Sequence, residues 1–355
     1  MPLEGKTVLV TGGTGSLGQV LVRRLLSGEL GAPRKVIVLS RDEAKQHSMR
    51  LAYLHRRVTT DEAIYANFNR ALEFRIGDVR DYRAVCTSLR DADVVINAAA
   101  LKQVPTCEYF PEQAVMTNCL GAANIVQAIK EHDFGVESVV GVSTDKACKP
   151  VNVMGMTKAL QERIFISANV AGTGTRYMVV RYGNVLASRG SVIPLFHDQI
   201  SSGGPVTVTA AEMTRFLVTL EEAVDMIFQA LTHGRPGQTL VPVTPSATVM
   251  NVAQALIGHR PIPIKITGVR PGEKLHEVLV SEEECHHAYR QGKYYVISSM
   301  LPELSGDFDA ESANLKGEYS SANDTVDLEA TAALLERNRL LVGQVSFDNG
   351  LELLR

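Results

Sequence analysis

Lys6-Thr7-Val8-Leu9-Val10-Thr11-Gly12-Gly13-Thr14-Gly15-Ser16-Leu17-Gly18 is the stretch that decides the fold. A short β-branched run stops at Gly12, and an amphipathic stretch follows from Leu17 to Leu26. That is strand, glycine turn, helix. The glycines fit both G-x-G-x-x-G and G-x-x-G-x-x-G, but their position carries more than their letters. Between a strand and a helix they permit a tight turn and close backbone approach, and the free amides at the helix start face a pyrophosphate. Gly12, Thr14, Gly15, Ser16, Leu17 and Gly18 are therefore candidate dinucleotide-binding residues.

Working outward, further apolar runs lie at Val36–Leu39, Leu72–Ile76, Val94–Ala98, Val136–Val142 and Arg176–Val180. Each is followed by a segment long enough for a helix. The alternation predicts an α/β fold, a Rossmann-type doubly wound parallel sheet covered on both faces. The second strand ends Val38-Leu39-Ser40-Arg41-Asp42, with Lys45 one turn later. A hydroxyl followed by a guanidinium suits a 2′-phosphate, so NADP is favoured over NAD. Asp42 at the strand tip would reverse that choice. Residues 58–70 read as an inserted loop or short helix. Beyond about Tyr182, Gly and Pro become denser and the elements shorten, which suits a smaller C-terminal α/β substrate lobe. The expected division is 1–184 for the dinucleotide domain with a return segment near 217–243, and 185–304 for a discontinuous lobe. A polar tail, 305–355, then packs on the body or on a neighbouring subunit, with a helical period at Leu328–Leu341.

The balance of 36 basic against 39 acidic residues argues against broad nucleic-acid binding. No apolar run reaches the length of a bilayer span, and the N-terminus has no apolar signal core. The chain reads as soluble and cytoplasmic. The five cysteines are odd in number and never spaced C-x-x-C, so neither a disulfide framework nor a zinc site is expected. Cys148 reads as a small filler residue. His286-His287 cannot share a helix face, and no metal site is expected there.

The run Ser138–Val142 ends in Ser143-Thr144-Asp145-Lys146-Ala147. Ligands of open α/β sheets bind at strand C-terminal ends, and three polar residues with adjacent opposite charges suit chemistry there. Lys158 follows, with Met154 four positions before it on the same helix face.

Thr11-Gly-Gly-x-Gly-x-x-Gly18, Gly77-Asp78-Val79-Arg80-Asp81, Ala98-Ala99-Ala100-Leu101-Lys102 and Val142-Ser-Thr-Asp-Lys-Ala147 together resemble the extended short-chain dehydrogenase/reductases. More narrowly, the chain is similar to the inverting UDP-N-acetylglucosamine 4,6-dehydratases of capsule, O-antigen and flagellin-glycan pathways. Arg181-Tyr-Gly-Asn-Val185, Ser188-Arg-Gly-Ser-Val-Ile-Pro194, Met213-Thr-Arg-Phe216 and Arg270-Pro-Gly-Glu-Lys274 extend the match over roughly 5–300. Tyr319-Ser-Ser-x-Asn323 resembles the tail of the capsule-type members.

The resemblance implies that Asp78 and Val79 flank the adenine, that Ala98, Ala99 and Ala100 line the cofactor, and that Lys158 holds the nicotinamide ribose. Lys146 becomes the base at sugar C5 and Asp145 the acid for the C6 hydroxyl, in a cycle that takes hydride from C4 and returns it at C6. Lys146 must then be partly neutral and Asp145 partly protonated. Arg215, Arg270 and Glu273 hold the nucleotide of a UDP-sugar, with Lys102 and Asn184 as lesser sugar or phosphate contacts. One departure matters. The superfamily's Tyr-x-x-x-Lys reads Met154-Gly-Met-Thr-Lys158 here, and methionine cannot exchange a proton. Thr144, Asp145 or a water remains to take the C4-hydroxyl proton. A 4-epimerase, a 5,6-dehydratase and a non-catalytic dinucleotide sensor are the alternatives. A homo-oligomer, often a hexamer, is implied by the family alone.

Overall fold

The structure is a computed structural model describing residues 1–54, 70–186, 191–305 and 315–344, plus the short strands Phe347–Asp348 and Leu351–Glu352. Residues 58–69 of the insert expected at 58–70 and the motif residues Ser188, Arg189 and Gly190 lie outside the described residues.

The first six strands are β1 (Thr7–Thr11), β2 (Lys35–Ser40), β3 (Leu72–Ile76), β4 (Val94–Asn97), β5 (Ser138–Thr144) and β6 (Arg176–Tyr182). They pair in parallel in the order β3-β2-β1-β4-β5-β6. The chain first builds outward on one side of β1, then crosses to the other. That reversal opens a crevice at the carboxyl ends of β1 and β4. The central strands are apolar throughout because both faces are covered. Alternate residues serve opposite layers. Val8, Val10, Val36 and Val38 pack with helix α1 (Ser16–Leu26) and the helix Leu220–His233. Leu9, Ile37 and Leu39 face the helices Tyr82–Leu89, Gly121–His132 and Val153–Ala168.

Strand Thr239–Pro242 adds in parallel beside β6, and Tyr294–Ile297 and Ala288–Gln291 follow antiparallel. The last pair corrects the division expected from sequence. Residues 288–297 belong to the large sheet, although their Gly- and Pro-dense surroundings suggested the lobe. The lobe itself has a four-stranded sheet of Thr325–Val326, Ser246–Thr248, Thr214–Val218 and Asn184–Val185, in that order. Its core gathers Ile193, Phe196, Leu217 and Leu256 with Leu335 and Leu340 of the tail. Strand Tyr319–Ser320 pairs with Val278–Val280, so the described part of the tail packs on its own chain.

Sheet and lobe are joined by a buried charge cluster. The Arg181 guanidinium donates to Glu162 (2.6 and 3.0 Å), to Glu284 (2.7 and 2.8 Å) and to the Leu279 carbonyl (2.8 Å). Removing Arg181 would strand two carboxylates in a dry interior. Arg181→Met should lower unfolding free energy by roughly 3–5 kcal/mol at pH 7. The loss should shrink on acidification, because without the guanidinium burial opposes the Glu284 carboxylate and protonation removes that penalty as pH falls. Urea titrations at two pH values test both statements.

Candidate active site

The loop after β1 forms a cradle that side chains would fill. A Cβ on Gly12 would sit 2.8 Å from the backbone of Ala98 and Ala99, and one on Gly18 would sit 2.5 Å from the Gly13 Cα. Helix α1 begins at Ser16 with Gly15 as its N-cap, so it has no side-chain cap, and its first turn holds no acidic residue. Its free N–H groups and positive dipole end therefore point into the crevice, as a pyrophosphate requires. Ser16 and Leu17 form the first turn, and Ala98, Ala99 and Ala100 form the facing loop after β4. The residues present fit a dinucleotide.

Ser40 is the last residue of β2, and its hydroxyl lies 2.9 Å from that of Thr14. Asp42 is not at the strand tip. Its carboxylate accepts from the Lys45 N–H (3.0 Å) and pairs with the Lys45 ammonium (2.8 Å), capping the next helix. Arg41 is more than half exposed beside Asp78 (3.8 Å), whose carboxylate also takes the Arg80 guanidinium (2.7 Å). Val79 is buried, and its carbonyl accepts from the Asn124 amide.

At the end of β5 the chain tightens into a 3-10 turn, Asp145–Ala147, entered through Thr144. The Thr144 hydroxyl donates to Asp145 Oδ1 (2.9 Å), and the Lys146 ammonium donates to the same oxygen (3.0 Å). Asp145 is fully buried, and its Oδ2 has no partner among the described residues. Glu277, from the lobe and 1% exposed, takes the other side of Lys146 at 3.0 Å. Arg215 Nε stands 3.9 Å from Glu277. One ammonium thus lies between two buried carboxylates.

Burial lifts the Asp145 carboxyl, Lys146 pulls it back, and Glu277 adds to the rise; the outcome is above the ordinary range. Burial alone disfavours the Lys146 ammonium, yet the charges of Asp145 and Glu277 outweigh it and raise its pKa. This corrects the expectation of a partly neutral Lys146. The sequence displayed one carboxylate beside it, and the fold supplies a second. Burial also opposes ionisation of Glu277, but Lys146 and Arg215 hold it below the ordinary carboxylate range.

Lys158 is buried on the adjoining helix, donating to the Val142 carbonyl (2.5 Å) and Gln161 Oε1 (2.7 Å). Burial lowers its pKa to about 8. Met154 packs against Cys107 and Ala114, with Leu101, Val104 and Val153 around it. Gly155, beside it, approaches the Lys146 carbonyl so closely that a Cβ would lie 2.2 Å from the oxygen. Helix and catalytic turn are thereby held together. Cys148 is buried, and its thiol is pushed up to about 12, as befits an inert filler.

On the lobe side, the Arg215 guanidinium donates to the carbonyls of Thr214, Leu275 and Lys274. It braces the segment carrying Glu277. Arg270 is exposed, and its N–H donates to Glu273 (3.3 Å). Lys102 lies in the loop after β4, and Asn184 starts the first lobe strand with its Oδ1 buried and unpartnered among the described residues. Glu277 is the residue that sequence reasoning missed, while Ser321, within the Tyr319-Ser-Ser-x-Asn323 motif, was given no part in the site. The only signal was an acidic residue directly before the apolar run Val278–Val280.

A glycine cradle at the reversal point of a parallel sheet, with an acid–lysine turn one strand away, defines a Rossmann protein of the short-chain dehydrogenase/reductase type. Residues 8–299 match the family described as polysaccharide biosynthesis protein, and the chain belongs to that family. It is 39% identical over 333 residues, 90% of this chain and 94% of the relative, to a UDP-N-acetylglucosamine 4,6-dehydratase (inverting) of Campylobacter jejuni. It is 43% identical over 297 residues, 82% of each chain, to a UDP-glucose 4-epimerase of Rickettsia akari. Pen from Bacillus thuringiensis superposes with a TM-score of 0.84 at 31% identity, covering 96% of this chain and all of that one. DesIV, a dTDP-glucose 4,6-dehydratase from Streptomyces venezuelae solved with NAD and TYD bound, shares the fold at a TM-score of 0.63 and 23% identity, over 76% of this chain and 86% of its own. The chain is a member of a nucleotide-sugar dehydratase and epimerase family. No described helix is long and apolar enough to cross a membrane.

Lys158 has a folded-state pKa of about 8 against 10.5 unfolded. Between those values the unfolded chain binds the extra proton, so stability rises with pH across this window. From pH 7.5 to 9.5 wild type should gain about 2 kcal/mol relative to Lys158→Met. Parallel urea titrations of the two proteins read the difference.

Proposed function

We propose that the protein is an NADP-dependent UDP-N-acetylglucosamine 4,6-dehydratase that inverts C5, a hydro-lyase. The observation that carries this reading is the buried Asp145 carboxyl, held above its ordinary range and in contact with the Lys146 ammonium. Elimination of water needs an acid at the leaving oxygen and a base at the neighbouring carbon. An epimerase, which only removes and returns hydride, needs neither.

A bound nicotinamide dinucleotide would supply the hydride acceptor at C4 and the donor at C6. Gly12, Thr14, Gly15, Ser16, Leu17 and Gly18 would hold it, facing Ala98, Ala99 and Ala100, with Asp78 and Val79 by the adenine. Ser40, Arg41 and Lys45 favour a 2′-phosphate, since Asp42 is committed to its helix cap. Lys158, cationic at neutral pH, is the residue proposed for the ribose.

Within the catalytic turn, one proton moves along the 3.0 Å contact from Lys146 Nζ to Asp145 Oδ1, giving a neutral amine and a carboxylic acid. Lys146 then takes the C5 proton. The C5–H electron pair forms the C5–C6 double bond, the C6–O bond breaks, and the Asp145 proton leaves with the oxygen as water. The ion pair is restored. Thr144, bonded to Asp145, is the residue proposed to pass the C4-hydroxyl proton by way of Asp145 to solvent in the absence of a phenol. A solvent-exchanged proton adds at C5 when hydride returns to C6. Met154 keeps the neighbouring wall apolar. Arg215, Arg270, Glu273, Lys102 and Asn184 are proposed for the UDP-sugar, and Asn184 Oδ1, without a partner among the described residues, would accept from a substrate hydroxyl or amide.

Incubation with UDP-N-acetylglucosamine in deuterated water should give a product lighter by one water and labelled at C5. An isomer of unchanged composition would support the epimerase reading instead. Lys146→Ala should remove nearly all turnover, whereas Met154→Tyr should change it only modestly; a large gain there would show that a missing phenol limits the enzyme. For the cofactor, Arg41→Ala should weaken NADP binding about tenfold and leave NAD nearly unchanged, read by calorimetric titration of each.

A further inference from the structure

Glu277 stands outside every sequence motif that pointed to chemistry, yet its carboxylate is buried on the lobe side of the site. Its Oε1 lies 3.0 Å from the Lys146 ammonium, and its Oε2 is buried without a partner among the described residues. Asp145 Oδ2 is in the same condition. Two dry carboxylates therefore share one ammonium, and each has an oxygen to spare.

The backbone of Glu277 is clamped by the tail. Its N–H donates to Ser321 Oγ (2.9 Å), and its carbonyl accepts from the Ser321 N–H (2.8 Å) and the Ser320 hydroxyl (3.4 Å). Ser321 is fully buried and also meets Thr214 Oγ1 (2.8 Å). A carboxylate held this firmly against a charge from another part of the fold is not a solvated ion pair.

We propose that Glu277 is a positioning residue for the elimination chemistry: it is the standing counter-ion for the ammonium that forms when Lys146 takes the C5 proton, while Asp145 still carries the proton it must give away. The inference rests on the dehydratase reading. With Glu277 ionised, the Asp145–Lys146 pair holds one proton more readily than it would alone, and that one-proton state is the working state. When Lys146 takes the C5 proton, the ammonium forms next to a negative charge already in place, which lowers the barrier without reorganisation. Other groups facing the pair are Arg215 from its strand, Lys274 on the same segment and, through Thr214, His276. Glu277 alone among them adds negative charge beside Asp145.

The test compares wild type, Glu277→Gln and Glu277→Asp. Each is examined by the pH profile of kcat on UDP-N-acetylglucosamine and by NMR titration of Lys146 in protein labelled with 13C at lysine Cε, its signal assigned by its loss in Lys146→Arg. Removing a negative charge lowers the proton affinity of both neighbours. In Glu277→Gln both limbs of the profile and the Lys146 titration should move to lower pH by about one unit. Its kcat should fall about a hundredfold with KM little changed. Glu277→Asp, which keeps the charge, should hold the limbs in place with a smaller loss of rate. A lower rate with neither the limbs nor the Lys146 titration displaced would make Glu277 merely structural and overturn the proposal. A displaced Lys146 titration in a protein whose wild type dehydrates nothing would uphold the charge placement and fault the reaction reading instead.

Discussion

Everything in the site depends on how Arg181 is buried. An isolated guanidinium in the dry interior would be prohibitive, and this one is tolerated because its donors meet two carboxylates and a carbonyl. Those partners come from different places. Glu162 belongs to the helix that carries Met154 and Lys158, while Leu279 and Glu284 belong to the segment that follows Glu277. Arg181 itself pairs in register with Ser143, two residues before Asp145. Satisfying one cation thus fixes helix, catalytic strand and lobe against each other. A lobe that moved independently would leave the charge unpaired, so the geometry around Lys146 is locked to the core of the sheet.

Two buried lysines on neighbouring elements show how local that chemistry is. Lys158 hydrogen-bonds a carbonyl and an amide oxygen, neutral acceptors that do not repay the loss of water, and its pKa falls to about 8. Lys146 keeps 20% of its side chain exposed but touches two carboxylates, and its pKa rises. Desolvation is common to both, and the partners decide the sign. The same comparison separates Asp145 from Glu277. Asp145 sees Lys146 against full burial and a second carboxylate, whereas Glu277 also has Arg215 and Lys274 on its side. Opposite shifts in two carboxylates on one ammonium are what an acid and its counter-ion require.

The parallel sheet and the cradle were legible in the sequence because both rest on local signals. β-branched runs at regular spacing and glycines between strand and helix carry their structural meaning within about fifteen residues. The Asp145-Lys146 turn was legible for the same reason. Residues 288–297 were not, since strands that join a sheet antiparallel at its edge look like any short apolar run near turns. Glu277 was hidden more deeply. It lies 131 positions beyond Lys146 in the chain, and no periodicity links a lobe loop to the end of a sheet strand. The sequence could show that Lys146 had one charged neighbour; only the fold could show the other. That is why the protonation of Lys146 was the expectation that needed correcting.

Relatives named as dehydratase and as epimerase share this scaffold, and the proposed division between them can be argued from proton demand. Both activities start with hydride removal at C4, which needs a cofactor cradle, a cationic lysine at the ribose and an acceptor for the C4-hydroxyl proton. Epimerisation then needs room for the sugar to turn. Elimination needs a proton at the leaving oxygen and a vacancy at the base, supplied without water, which would protonate the intermediate carbanion indiscriminately. A fully buried carboxyl in direct contact with a lysine answers that demand, since a single shift along one hydrogen bond creates both acid and base. The arrangement is expensive in a folded core, because it encloses two carboxylates and several cations away from solvent. An enzyme that only exchanged hydride would have no use for it. The Met154 substitution fits the same logic, for a site whose protons travel through Thr144, Asp145 and Lys146 gains more from an apolar wall than from another titrating group.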